Sequence, residues 1–243
     1  MPGRIEPMLS RRQIVEAGCA AGVLSLTAGS PLIAAVVDPS TLRRRPDAQP
    51  ASPYENPVTP DAVPARPRVL VDPSIDPQLV TRARAAFDRH RGALTRTETV
   101  AIVDFAKSSS EPRFYLLDTN TGRVTRHLVA HGRGSDPAHT GFLQRFSNAI
   151  GSEASSSGGY VVSTYYDGKY GRSMRVRGLD PSNSNAEARS IVVHTAWYAE
   201  PGIVAEMGRL GRSEGCFALP RASLQEAMAR LGPGHFLYAD RIA

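Results

Sequence analysis

Two short stretches decide how this chain of 243 residues is read: Val192-Val193-His194 and, beyond it, Gly211-Arg212-Ser213-Glu214-Gly215-Cys216. The first is a β-branched run ending on a polar residue, the pattern of a strand that delivers its last side chain to a sheet end. In the second, Gly215 allows a tight turn before a cysteine, and such a turn can aim backbone N–H groups at a developing oxyanion. A cysteine attacks acyl carbon as the thiolate. A nearby histidine can take its proton or pair with it as imidazolium, lowering a thiol pKa from about 8.5 to roughly 3.5–7.5, and can later protonate a leaving amine. Cys216 is therefore the candidate nucleophile and His194 the candidate base, and a thiol reactive well below pH 8 is expected. Taken alone, the pair also has bland readings, because a buried cysteine is usually a small hydrophobe and a histidine closing a strand is more often structural.

Working outward, Asp76-Pro77 reads as an N-cap with proline at the first helical position; Leu79, Val80, Ala83, Ala86 and Phe87 follow at helical spacing, and Gly92 closes the segment. The character changes after Thr95. Residues 99–105, 113–118 and 124–130 are β-branched or aromatic runs, with the turn Asn120-Thr121-Gly122 before the last. Residues 160–166 and 174–179 flank Asp167-Gly168, a hairpin signal, and 235–238 is again strand-like. Helices are expected at 201–210 and 220–231. The expected fold class is mostly β, a sandwich or barrel with peripheral helices. Residues 131–159 form a long polar stretch, and structureless loops of that length are functional or disordered.

The N-terminal third reads differently. Ser10-Arg11-Arg12-Gln13 precedes a run from Ala17 to Val37 without a single charge, which resembles a twin-arginine export signal. Glu16 and Ile14-Val15 depart from that pattern. The alternative is a signal anchor retained in the membrane, since the run approaches the roughly 20 residues a spanning helix needs, although Gly22, Gly29 and Pro31 weaken a regular span. Residues 38–75, rich in proline and carrying Arg43-Arg44-Arg45, read as a linker. The catalytic domain is then 76–243, expected to act outside the cytoplasm, in the periplasm or cell envelope. The net charge of +6 comes from scattered arginines. A basic stripe with interleaved aromatics is missing, so nucleic-acid binding is not expected.

The chain holds two cysteines, and Cys19 lies inside the apolar targeting run. Glu16-Ala17-Gly18 before Cys19 is a poor lipoprotein approach. With the signal removed, Cys216 is left without an intramolecular partner in an oxidising compartment, where most cysteines are paired; a lone thiol there asks for a chemical reason.

Ser213-x-Gly215-Cys216, preceded by a strand ending in Val193-His194, resembles the signature of the L,D-transpeptidase (YkuD-like) catalytic domain, whose usual form is His-Gly-Thr, a connection, then Ser-His-Gly-Cys. The wider sequence is similar to the murein L,D-transpeptidase branch through Val103-Asp104-Phe105, Val129-Ala130-His131-Gly132-Arg133-Gly134-Ser135, Phe146-Ser147-Asn148, Ser157-Gly158-Gly159-Tyr160 and Tyr166-x-Gly168-Lys169-Tyr170-Gly171. The resemblance spans roughly 76–243. It implies a β-rich catalytic domain with Cys216 as nucleophile, His194 as base, Ser213 as a supporting polar group, and the backbone of Gly215 and Cys216 as oxyanion donors. Thr195 stands where the family has glycine after the histidine, and Glu214 fills the variable position of the cysteine motif. Ala218 replaces an arginine common two residues past the cysteine, so substrate recognition is expected to fall to Arg212, Lys169 or Arg133, with Tyr160 as a further contact. His131 is either a second histidine of the site or a loop residue.

The expected reaction is transfer of a peptidoglycan stem peptide through a Cys216 thioester to give 3→3 cross-links. The alternatives are an L,D-carboxypeptidase, attachment of an envelope protein to the wall, or an inactive wall-binding relative. No cofactor is expected, and His90, His127, His139 and His235 show no metal-ligand spacing. A monomer is expected, with membrane attachment through 17–37 if the signal stays in place.

Overall fold

A computed structural model describes residues 72–242. Eight strands form one mixed sheet: β1 (Thr99–Asp104), β2 (Phe114–Asp118), β3 (Val124–His127), β4 (Gly158–Gly168), β5 (Gly171–Gly178), β6 (Val192–Thr195), β7 (Phe217–Leu219) and β8 (Phe236–Asp240). Their spatial order is β3-β2-β1-β8-β4-β5-β6-β7. The β1/β8 and β6/β7 pairs are parallel and the others antiparallel. Three helices accompany the sheet: α1 (Pro77–His90), α2 (Pro201–Met207) and α3 (Arg221–Arg230). The expected export segment and the expected linker up to residue 71 lie outside the described residues.

Alternation along the strands sorts the interior into two layers. On β1, Ala101 and Val103 face one core while Val100 and Ile102 face another. With both faces covered, every position of β1 is buried, which is why that strand reads as a continuous apolar run. The second core is closed by α1. Asp76 caps that helix by accepting from Gln78 N at 2.7 Å and Leu79 N at 3.4 Å, and Leu79, Ala83 and Ala86 pack onto Tyr115, Phe236 and Tyr238. Ile75 is buried in the same layer and Arg126 binds the Asp72 carboxylate at 2.7 Å. The last residues of the expected linker are thus docked on the domain.

The main core gathers side chains from β1, β2, β4, β5, β6, β7 and β8, with Leu224 and Ala227 of α3. One sheet can supply all of these only by curling. The chain leaving edge strand β3 reaches Ala130, which pairs with Ala218 on the opposite edge strand, β7, so the sheet approaches a barrel. This is the mostly β class with peripheral helices that the pattern predicts.

Three local expectations need correction. The hairpin turn lies at Lys169-Tyr170, since Gly168 pairs with Gly171, two residues beyond Asp167-Gly168. Helix α2 ends at Met207 because Gly208, at φ +71°, terminates it in the left-handed conformation. Strand β7 was not expected: Phe217–Leu219 is three residues long and fully buried, too short for a period-2 signal.

Candidate active site

The site is built where β6 and β7 run side by side. Their register pairs Val193 with Phe217 and His194 with Ala218. Val193 and Phe217 enter the main core, so alternation turns His194 and Ala218 to the opposite face, and Cys216 is the residue immediately before β7. The nucleophile candidate therefore stands at the entry to the strand that pairs in parallel with the base candidate's own. The Cys216 Sγ donates to Ser190 O at 3.6 Å, and Val192 N–H also points at it. Among the described residues no hydrogen bond joins the thiol to His194.

His194 is buried, and its Nδ1 lies 2.9 Å from Thr195 O. A carbonyl only accepts, so Nδ1 carries the proton and the lone pair belongs to Nε2. The ring stacks on Tyr170 with centroids 4.4 Å apart. Burial, helped by the Lys169 charge, pushes the imidazole below its ordinary value of 6.5. Burial pushes the Cys216 thiol up, as does Glu214, against the pull of Val192 N–H, Arg189 and Lys169. Both groups thus rest neutral at pH 7. The acidified thiol expected from the sequence is corrected to a protonated thiol that must hand its proton to a base as it attacks.

The turn before the cysteine is tightly built. Gly215 sits at φ +108°, and a Cβ there would lie 2.9 Å from Ala154 O and 3.2 Å from Arg189 Nη2; no other residue fits without displacing backbone. Ser213 Oγ accepts from Gly215 N at 3.2 Å and donates to Cys216 O at 2.7 Å, which makes Ser213 the brace of this turn. The Gly215 N–H is consequently engaged, whereas that of Cys216 has no partner among the described residues. Of the two expected oxyanion donors, the Cys216 amide is the available one.

The 131–159 segment supports this turn from below. Before β4 begins at Gly158 its one regular piece is a 3₁₀ turn at Arg133–Ser135, yet it is pinned throughout: Ser213 N donates to His131 O, Arg133 N to Ser213 O, and Ser155 N to Ser135 Oγ. Arg189 completes the underside. It donates to Ser147 O at 2.5 Å, Ser152 O at 2.9 Å and Ala154 O.

The remaining site candidates separate. Tyr160 is fully buried and donates its hydroxyl to Ser156 O at 2.8 Å; it is a core residue, a correction to the expected substrate contact. His131 is also a correction. It is sealed in the interior with Nδ1 on Arg113 Nη2 at 2.8 Å and Nε2 facing Asp136 Oδ2 at 3.4 Å. Arg133 is neutralised by Glu153, with Glu214 3.7 Å away, and Arg212 holds the carbonyls of Asp136 and Pro137. Lys169 remains: exposed on the β4–β5 turn, over the Tyr170 ring at 4.8 Å, and without an ion pair among the described residues. A cleft of about 270 Å³ opens beside the cysteine motif, lined by Trp197, Tyr198, Ile203 and Met207 together with Arg133 and Arg212.

Three contributors escaped the sequence reading. The group orienting His194 is the backbone carbonyl of Thr195, and no residue identity announces a carbonyl. Tyr170 could have been found as an aromatic beside a hairpin turn, but nothing in the sequence aims it at His194. Arg189 is one of many scattered arginines.

The fold and the site can now be set beside known proteins. Residues 71–239 match the family model for the L,D-transpeptidase catalytic domain. No curated protein matches the chain. Among solved structures, an L,D-transpeptidase from Mycobacterium smegmatis is 14% identical over 59% of this chain and 58% of its own, with a TM-score of 0.36. L,D-transpeptidase 3 from Mycobacterium tuberculosis, in complex with a faropenem-derived adduct, is 13% identical over 59% and 60%, at 0.38. An L,D-transpeptidase from Xylanimonas cellulosilytica is 18% identical over 65% and 68%, at 0.35. This chain spans under two thirds of either mycobacterial protein. The assignment rests on the family match, which takes in every strand of the sheet save Asp240 together with the two strands of the site: the chain belongs to the L,D-transpeptidase catalytic domain family.

Proposed function

We propose that the protein is a cysteine-dependent L,D-transpeptidase acting on peptidoglycan stem peptides. The observation that carries the reading is that Cys216 immediately precedes β7, the strand paired in parallel with the β6 strand that holds His194, and that the His194 tautomer set by Thr195 O leaves its Nε2 lone pair without a hydrogen-bond partner among the described residues. His194 Nε2 takes the thiol proton as Sγ adds to the carbonyl of the third, L-centre residue of the stem. The tetrahedral oxyanion is met by the Cys216 N–H. Collapse expels the terminal D-Ala, whose amine receives the proton from His194, and leaves a thioester on Cys216. An amine of a second stem then attacks with His194 again as base, which gives the 3→3 link and restores the thiol.

Lys169 is suited to the carboxylate of the departing D-Ala, being the exposed and unpaired cation whose charge reaches both Cys216 and His194. Residues 1–37 fit a route that takes the domain outside the cytoplasmic membrane, where such peptides lie. Mass spectrometry of muropeptides incubated with the purified protein tests the proposal. New 3→3 dimers are expected. Tripeptides alone would redirect the acyl-enzyme to water, and unchanged material would leave only a wall-binding role.

A further inference from the structure

Arg189 is a site residue that the reaction above leaves unused. Its guanidinium is held by three loop carbonyls, from Ser147, Ser152 and Ala154, and its Nε is buried with no hydrogen-bond partner. Among the described residues no carboxylate lies within ion-pair distance of it, unlike Arg133, Arg126 and Arg82. Carbonyls satisfy donors but carry no net charge, so the guanidinium keeps its full positive charge. That charge lies against the nucleophile turn, with Nη2 3.2 Å from where a Cβ of Gly215 would stand. A planar fork that bridges several carbonyls and carries a permanent charge is a combination lysine cannot reproduce.

We propose that Arg189 is a positioning residue for the Cys216 thiolate: clamped beneath the Gly215-Cys216 turn, it ties residues 147–154 to the nucleophile and holds a fixed positive charge against it. This inference rests on Cys216 being the reactive thiol. Several groups surround that sulfur. Glu214, from the turn itself, opposes ionisation; Lys169, from the β4–β5 turn, and Arg189, from the segment before β6, favour it. His194 on β6 is neutral, and Tyr198, beyond β6, is pushed up by burial and stays protonated. Of the two cations, Lys169 is exposed and screened by salt. Arg189 is half-buried and immobilised, so its field is weakened less by solvent. The attacking form of Cys216 is an anion created in a site where burial disfavours it. A charge already in place lowers that cost with no rearrangement at the moment of reaction.

The test follows iodoacetamide alkylation of Cys216 against pH in the full chain, read by peptide mass so that Cys19 does not interfere. Arg189→Met is expected to raise the thiol pKa by about one unit, slowing alkylation at a fixed pH below it about tenfold. Arg189→Lys, which keeps the charge and loses the fork, is expected to recover most of that rate while melting lower than wild type. An Arg189→Met protein that folds and alkylates with the wild-type pH profile would overturn the proposal. If the methionine variant fails to fold, the wild-type protein decides. Its Arg189 ¹⁵Nε resonance should titrate with the thiol and stop doing so in Cys216→Ser; a resonance indifferent to the thiol overturns the proposal equally. None of these readouts involves turnover. Failure of the nucleophile assignment, seen as turnover surviving Cys216→Ser, is therefore a separate result.

Discussion

His131 and His194 are almost equally sealed, at 1% and 2% exposure, and burial pushes both imidazoles down, His131 to about 3. They differ in what their nitrogens meet. Arg113 can only donate, so His131 Nδ1 accepts and its proton sits on Nε2, turned to the buried Asp136. His194 has the opposite tautomer, with Nδ1 donating to Thr195 O and Nε2 uncommitted. One ring is closed on both sides by charged groups, and the other keeps one nitrogen without a hydrogen-bond partner among the described residues. Burial alone does not fit a histidine to act as a base; an unspent lone pair is what such a role requires.

Exchanging each ring for alanine is the sharpest way to break this comparison. His194→Ala is expected to cost about 10²- to 10⁴-fold in turnover, with a melting temperature that moves by only a few degrees. His131→Ala should do the reverse. It strands Arg113 and Asp136 in the interior, and breaking such a buried charged set costs about 3–5 kcal/mol, or roughly 6–20 °C in melting temperature for a domain of this size. Turnover per folded molecule should survive. If both variants lose activity at unchanged stability, the two histidines do not differ in the way described.

Acid should separate them next. The His131 pKa is depressed in the folded state, so the unfolded chain takes up the proton first. The stability due to this ring is therefore complete above pH 6.5, its ordinary value, and is lost as pH falls from there towards 3. The slope is up to about 1.4 kcal/mol per pH unit. His131→Asn, which keeps an acceptor for Arg113 and a donor for Asp136, should flatten that part of the stability–pH curve in urea titrations.

The smallest effect concerns Tyr170. Replacing it by leucine removes the stacked partner of His194, worth about 0.5–1.5 kcal/mol for an aromatic pair, so turnover should fall about 2- to 12-fold. In wild type the acid limb of kcat/KM should lie below pH 6.5, because burial holds the proposed base, His194, below its ordinary value. Tyr170→Leu relieves burial and should move that limb upward. A limb that stays put would mean that Tyr170 does not seal the ring.

Much of this molecule could be read from residue order, and what escaped did so for physical reasons. Helix α1 was legible to its cap because Asp76-Pro77 and the Leu79, Ala83, Ala86 spacing are local signals, and β1 was legible from its apolar run. Strand β7 was not, since three buried residues carry no period and the strand exists only through pairing with β6. The cysteine and its histidine were visible as chemistry in a recognisable order. Their neutral resting state was not, because it follows from desolvation by side chains distant in sequence. His131 and Tyr160 looked like site residues for the same reason that they are buried: both lie in stretches the fold needs near the site, and only coordinates tell a strut from a contact. Arg189 acquires meaning from Ser147, Ser152 and Ala154, a contact set no motif records.

The most direct test of the account is intact-mass spectrometry of the purified protein supplied with a stem tetrapeptide and no acceptor amine. The account predicts a gain equal to the tetrapeptide less its terminal D-Ala, carried on Cys216 and absent from Cys216→Ser. Turnover by the serine variant, or a covalent adduct mapped to any residue other than Cys216, would contradict it.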